Sequence, residues 1–278
     1  MKPYIQLEID ETFVGKPLRE FLLSLGVGKK VIYEKSVEKK LRIDDILVYS
    51  EYRISKPSLL KIELDTYQMS YLSDDTITIA YEDDDFIIVD KPTNLLVHSD
   101  GVNTDSLSYR VNSYFQRKGY FIEVLPAHRI DKETSGLVIF SKHFLSLSYV
   151  SSLFEFNKVK KVYECIVEGQ IKKRQDTIEI PLDFNKELQR MSYSKRGKEA
   201  YTEYKLMETG LEMSRLEVMI KTGRTHQIRA HMLAIGHPVM GDIIYGKPSN
   251  RLYLHCKELT FDSFRNHLRI ESKSAAPF

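Results

Sequence analysis

From Thr76 onward the chain is written in short runs of β-branched and aromatic residues set between charged or glycine-containing turns. TITIAYE and FIIVDKP flank the acidic turn EDDD and predict a hairpin. GLVIFSK, KVYECIVEG, EAYTEYKLMET and SRLEVMIKTG read as further strands. Helical patterns fall only over about Ser106–Lys118, Leu145–Phe156 and Thr225–Leu233. Many strands joined by short turns, with few helices between them, predict an α+β fold with a mixed, largely antiparallel sheet.

The stretch before Thr76 has a different character. GKPLREFLLSLG places apolar residues at Leu18, Phe21, Leu22 and Leu25, which predicts a helix stopped by Gly26 and Gly28. A second, basic helix is expected over Lys30–Lys40, then strands in ILVYSEYRI and SLLKIELD. TYQMSYLSDD reads as a linker, so the chain divides into a small α+β module, 1–70, and a larger domain, 71–278. Net charge is only +2, but residues 15–62 carry eleven Lys/Arg against six Asp/Glu. That local surplus is read equally as a site for a polyanion or as a solvated helix face. Cys165 and Cys256 lie in apolar strand-like runs outside any CxxC pair and are expected to be buried thiols rather than zinc ligands. No run approaches the roughly 18 apolar residues of a membrane span, and MKPYIQLEIDETF has no secretory pattern. A cytoplasmic monomer without membrane contact is the expectation.

Three segments concentrate chemistry. In PAHRIDKETSGLVIFSK, a polar loop, His128–Ser135, runs into the apolar strand Gly136–Phe140. A loop anchored by a rigid strand is a common seat for catalytic groups, and Arg129 and Lys132 flank Asp131 with positive charge. A surface turn with a capping aspartate is the competing reading. In KVYECIVEG, strand alternation puts Lys161, Tyr163 and Cys165 on one face, as core or as active site. In KTGRTHQIRAHMLAIGHPVMGDIIYG, a helix is predicted to start at Thr225 as N-cap. Arg224, His226, Gln227, Arg229 and His231 crowd its first turns, a good anion site. His226 and His231 are five apart and no HExxH occurs, so no metal is expected. Asp242 supplies a second acidic residue. His-Arg-Ile-Asp superficially echoes a kinase loop, but no glycine-rich phosphate loop or DFG accompanies it. No GxSxG elbow, P-loop or dinucleotide fingerprint is present.

In this order the segments resemble the RluA-type family of RNA pseudouridine synthases. The resemblance is carried by His128-Arg129-Ile130-Asp131 with Thr134-Ser135-Gly136-Leu137, by Lys161-Val162-Tyr163, by Gly223 to His231, and by His237 to Asp242. Asp90-Lys91-Pro92 with His98, and Gly197 to Thr202, match less closely. The likeness spans about two thirds of the chain, Thr76 to Phe261. Asn94 stands where the family has glycine, which leaves the backbone of that loop in question, and Ile130 replaces leucine. The basic N-terminal module resembles a degenerate S4-like RNA-binding domain.

The resemblance implies an isomerase acting on uridine in structured ribosomal or transfer RNA. The N1–C1′ bond breaks and C1′ rejoins at C5, so no atoms are gained or lost and no cofactor is needed. It implies Asp131 as catalytic carboxylate, acting on C1′ or as a base at the sugar; Arg229 as its arginine partner; and Tyr163 as the tyrosine that stacks on the base and helps remove the C5 proton. Arg129 matches the residue that fills the space of a flipped-out base. His128, Lys161, Arg224, His226 and Gln227 are the further expected RNA contacts. The competing classes are an RNA-binding protein without catalysis and a nucleoside glycosidase, which releases free uracil.

Overall fold

The computed structural model describes residues 3–70, 72–101, 105–263, 265–266 and 268–278. The N-terminal part is a four-stranded sheet of β1 (Tyr4–Ile9), β2 (Leu41–Ile43), β3 (Ile46–Leu47) and β4 (Ser58–Glu63), ordered β1-β4-β2-β3, with helices α1 (Leu18–Ser24) and α2 (Lys29–Val37). β1 alternates Ile5, Leu7 and Ile9 inward with Tyr4, Gln6 and Glu8 outward. Neither β1 nor β2 was anticipated above. Of ILVYSEYRI, only Ile46–Leu47 is strand. The remainder turns back because the carbonyls of Ser50 and Tyr52 accept the N–H groups of Arg19 and Leu18, which the start of α1 leaves unpaired. Part of the basic surplus is neutralised within the module: Lys35 and Lys40 pair with Asp65, Lys61 with Asp45, and Arg19 with Glu51.

The polar segment after β4 has no regular structure over its described residues but is pinned down. Tyr67 N–H donates to the Phe121 carbonyl, Met69 N–H to the Gln116 side chain and Ser73 N–H to the Ser113 hydroxyl. β5 (Thr78–Glu82) and β6 (Phe86–Lys91) then form the expected hairpin. Its turn is closed by Asp83, whose carboxylate accepts the N–H groups of Asp85 and Phe86. There follow α3 (Leu107–Arg117), β7 (Leu125–Pro126), β8 (Ser135–Ser141), α4 (Phe144–Glu155), β9 (Lys160–Glu168), β10 (Gln175–Ile178), β11 (Leu182–Asn185), β12 (Arg190–Tyr193), β13 (Thr202–Thr209), β14 (Met213–Ile220), α5 (Gln227–Ala234), β15 (Leu254–Asp262) and β16 (Arg269–Lys273). Ser106 caps α3 by accepting the Tyr109 N–H, and His143 caps α4 by accepting that of Ser146.

The large sheet runs β10-β13-β14-β9-β15-β8-β6-β5, with β16 added to β15 and β7 to β8; β11 and β12 form a separate hairpin. Within the large sheet the short β15–β8 contact is parallel and the other pairings are antiparallel. This is the mixed, largely antiparallel α+β architecture. All seven residues of β8 are buried, which is why GLVIF reads as one apolar run rather than an alternation. β9 is buried on both faces too, so alternation along KVYECIVEG does not separate core from surface. Cys165 and Cys256 are buried free thiols. Among the described residues no helix is long and apolar enough to cross a membrane.

Candidate active site

The loop before β8 is held at both ends. At its exit, Gly136 has φ +112°, and a Cβ there would lie 2.3 Å from the Cys256 carbonyl oxygen. Glycine is therefore required where β15 meets β8. Cys256 is opposite Gly136 on one side and Tyr163 on the other, so one residue of β15 brings the Asp131 loop and the Tyr163 strand together. Ser135 Oγ meets His255 Nδ1 at 3.0 Å and accepts a bond from Arg251 at 2.9 Å. From the other side, the fully buried Lys91 donates to the carbonyls of Pro92 (2.9 Å), Leu95 (2.8 Å) and Lys132 (2.9 Å). Burial pushes Lys91 down to about 7, against the opposing pull of Glu133, Asp131 and Asp90. Its three carbonyl acceptors use all three N–H groups of the ammonium form.

Asp131 is half-buried at the bottom of this loop. Its Oδ2 accepts from Arg229 Nη1 at 3.3 Å and lies 3.9 Å from His226 Nε2; Oδ1 has no hydrogen-bond partner among the described residues. The carboxylate thus has one restrained oxygen and one free one. Arg229 comes from the first turns of α5, with a side chain only 1% exposed. It donates from Nε and Nη2 to Asp242 at 2.7 and 2.8 Å, and from Nη1 to Glu133 at 3.4 Å. Burial opposes its charge, but the bonds to Asp242 and the charges of Asp242 and Asp131 outweigh this, so its hold on the proton is stronger than usual. Fully buried Asp242 also accepts the N–H groups of Ile244 and Tyr245. Gly241 precedes it because a Cβ there would collide with the Arg251 carbonyl.

Tyr163 is buried beside this cluster and lines the same pocket as Asp131, Thr134, Arg229 and His226. That pocket opens, through the shared residues Arg129, Tyr163, Ile220, Gly223 and Arg224, into a cleft of about 480 Å³ walled by His128, Phe154 and Lys161. Burial pushes the Tyr163 phenol well above its ordinary value, with Cys256 the next contributor. The resting site therefore holds it protonated, a form suited to packing and hydrogen bonding rather than to accepting a proton. Around Arg229 the site gathers the carboxylates Asp131, Glu133 and Asp242, while Arg129 and Arg224 stand on its rim and Lys161 is buried in the cleft wall. A negative centre stabilises positive charge developing on a bound group, and a positive rim attracts phosphates.

A family model described as RNA pseudouridylate synthase matches residues 85–234, more than half of the chain. The chain belongs to the RNA pseudouridylate synthase family. An uncharacterized RNA pseudouridine synthase of Bacillus subtilis (strain 168) is 29% identical over 92% of this chain and 88% of its own. Ribosomal large subunit pseudouridine synthase D of Borreliella burgdorferi is 33% identical over 80% of this chain and 74% of its own. Among solved structures, human RNA pseudouridylate synthase domain containing 1 superposes with a TM-score of 0.64 at 24% identity, covering 76% of this chain and 87% of that one, which shows the shared fold. As an RluA-type member of this family, the protein is an isomerase acting on RNA.

At Asn94, where the sequence departs from the family pattern, the backbone is left-handed. Asn94 adopts φ 61°, the left-handed conformation that a glycine would take. The helix start differs from expectation: His226, at φ 51°, is the N-cap of α5, and Thr225 lies outside it. Gln227 organises that turn. Its Oε1 accepts from Thr222 Oγ1 (2.7 Å) and Arg224 N (3.0 Å), and its Nε2 donates to the Tyr201 carbonyl (2.9 Å) and Thr202 Oγ1 (3.0 Å). All four capacities of the amide are used inside the synthase, so its side chain shapes the turn and has none left for RNA. His128 is similarly engaged: its Nε2 accepts the Ile139 N–H at 3.1 Å and its ring packs on Phe154. Arg129 is exposed at the rim; Arg224 donates to the Glu199 carbonyl; buried Lys161 donates to the Lys221 carbonyl and lies over Phe154. Glu133 and Tyr245 were not singled out in the sequence, and Asp242 was noted without its tie to Arg229. Gly241, the glycine beside Asp242, is the one local signal of that tie.

Proposed function

We propose that the protein converts specific uridines of structured RNA to pseudouridine, in ribosomal RNA first and transfer RNA second, with Asp131 as the catalytic carboxylate. The observation carrying this reading is the asymmetry of Asp131, which lines the pocket: Oδ2 is restrained by a buried arginine while Oδ1 has no hydrogen-bond partner among the described residues. Cleaving N1–C1′ builds oxocarbenium-like charge, which an ionised carboxylate stabilises or captures, as in glycosidases. C1′ then bonds to C5, C5 loses its proton and N1 gains one, so the reaction balances within the nucleotide. Tyr163 packs against the base and hydrogen-bonds it. A base paired in a helix cannot reach Oδ1, so the nucleotide flips into the cleft and exposed Arg129 occupies its place. Relatives named for the large ribosomal subunit support ribosomal RNA as the target. Residues 1–70 act as an S4-like RNA-binding module packed against the larger domain, a reading supported by exposed Lys29 and Lys30 on α2, and the protein works as a cytoplasmic monomer.

The test maps pseudouridine in cellular RNA from a strain lacking the protein, complemented with wild type or Asp131→Ala. Sites that disappear and return with wild type alone establish target and carboxylate together. Full restoration by Asp131→Ala defeats the assignment, and release of free uracil by purified enzyme points to a glycosidase.

A further inference from the structure

We propose that Tyr245 fixes the tautomer of His226 so that an Nε2–H faces Asp131, making Tyr245 a positioning residue and His226 the second donor aimed at the carboxylate. This deepens, and rests on, the reading of Asp131 above.

Tyr245 is buried, and its Oη takes the Met191 backbone N–H at 2.9 Å. A backbone N–H only donates, so Oη is the acceptor there and its own hydrogen must go elsewhere. Among the described residues the acceptor within reach is His226 Nδ1, at 3.2 Å. Buried hydroxyl hydrogens are almost always given to an acceptor. Nδ1 is then the bare nitrogen of the ring, and the ring hydrogen sits on Nε2. Burial pulls His226 below its ordinary value, although Asp131 pulls the other way, which keeps the ring neutral and makes the tautomer meaningful.

The geometry aims that hydrogen. Nε2 is 3.9 Å from Asp131 Oδ2, the same oxygen that Arg229 holds. The distance is too long for a resting hydrogen bond, and such contacts tighten when substrate fills the site. The His226 ring stands edge-on to Tyr245 at 5.7 Å and 86°. The guanidinium of Arg229 lies over the same tyrosine ring at 5.4 Å, and so does that of Arg190. One side chain thus seats both donors of Asp131, and the β11–β12 hairpin seats that side chain through Met191 and Arg190.

The test uses full-length protein labelled with ¹⁵N-histidine, read by two-bond ¹H–¹⁵N correlation at neutral pH and assigned by difference against His226→Gln. The expected wild-type pattern is a bare Nδ1 and a protonated Nε2. Tyr245→Phe should shift that pattern toward Nδ1–H and lower kcat about tenfold, as loss of an orienting partner does, with KM for RNA held within about twofold. His226→Gln, whose amide can place an N–H near Nε2, should retain more turnover than His226→Ala. A wild-type His226 protonated on Nδ1 overturns the proposal, whatever the variants do. So does a Tyr245→Phe enzyme with unchanged tautomer and unchanged kcat. The tautomer is read without substrate, so failure of the Asp131 assignment, seen in product formation, stays separate from failure here.

Discussion

Arg229 gives Asp242 two bonds of 2.7 and 2.8 Å and gives Asp131 one of 3.3 Å. Asp242 is therefore the permanent counterion of the buried guanidinium. Asp131 feels the same positive charge but is bound by it loosely, through one oxygen, and keeps the other for chemistry. A single arginine paired with Asp131 alone would neutralise the carboxylate more completely.

Asp242→Asn should cost more in stability than any surface change. It leaves a buried arginine without its closest charge, and breaking one side of a buried pair typically costs about 3–5 kcal/mol. Urea unfolding checks this through the midpoint at constant slope. A loss below about 1 kcal/mol would mean that Asp131 and Glu133 compensate fully.

Arg229→Lys should keep the charge and lose most of the activity. One ammonium cannot bridge both oxygens of Asp242 and still reach Asp131 as the planar fork does. Turnover should fall by roughly 10²–10³-fold, the range for removing a placed donor from an active site. Single-turnover assays on RNA show it directly; near-normal turnover refutes the role given to the fork.

Tyr163→Phe should leave RNA affinity within a few fold and reduce product release by about tenfold, the scale of losing one hydrogen bond to the bound base. Binding assays and pseudouridine formation separate the two quantities. Wild-type product formation would leave the phenol with packing as its only role.

His128 predicts an acid-sensitive term in stability. Burial, helped by Lys161, pushes its imidazole from 6.5 down to about 3. The accepted bond from Ile139 N–H requires the neutral ring in any case. Between these values the unfolded chain binds a proton that the folded chain refuses, so stability is intact above about 6.5 and is lost as pH falls toward 3. The slope for one such group is up to about 1.4 kcal/mol per pH unit. His128→Gln, which retains an acceptor, should flatten it by about one proton in urea titrations between pH 7 and 4. Equal slopes in both proteins would show an imidazole that titrates freely.

The sequence shows most plainly what is periodic or chemically unusual. The β5–β6 hairpin, β8, β9, β13, β14 and the three larger helices follow from runs of apolar residues and their spacing. The loop of Asp131 is legible because charge is crowded immediately before an apolar strand. What escapes is anything that depends on a distant partner. Tyr245 looks like an ordinary strand or turn tyrosine until Met191, His226 and the two arginines gather around it. Ile46–Leu47 is a two-residue strand because carbonyls beyond it are taken by α1, which no local pattern records. Gln227 sits in a motif rich in RNA-like donors, and only the fold shows that its amide is already spent.

β15 lies between β9 and β8 in the sheet, yet it follows both of them in the chain, after β14 and α5. β15 is the strand that joins β5-β6-β8 to β9-β14-β13-β10, and Asp131 and Tyr163 belong to different halves. The strand is a keystone: through Cys256 it sets the Asp131 loop and the Tyr163 strand side by side. Pairing of one strand on both of its edges thus decides whether the carboxylate and the tyrosine share a pocket, and an unpaired edge on either half would be a template for other strands.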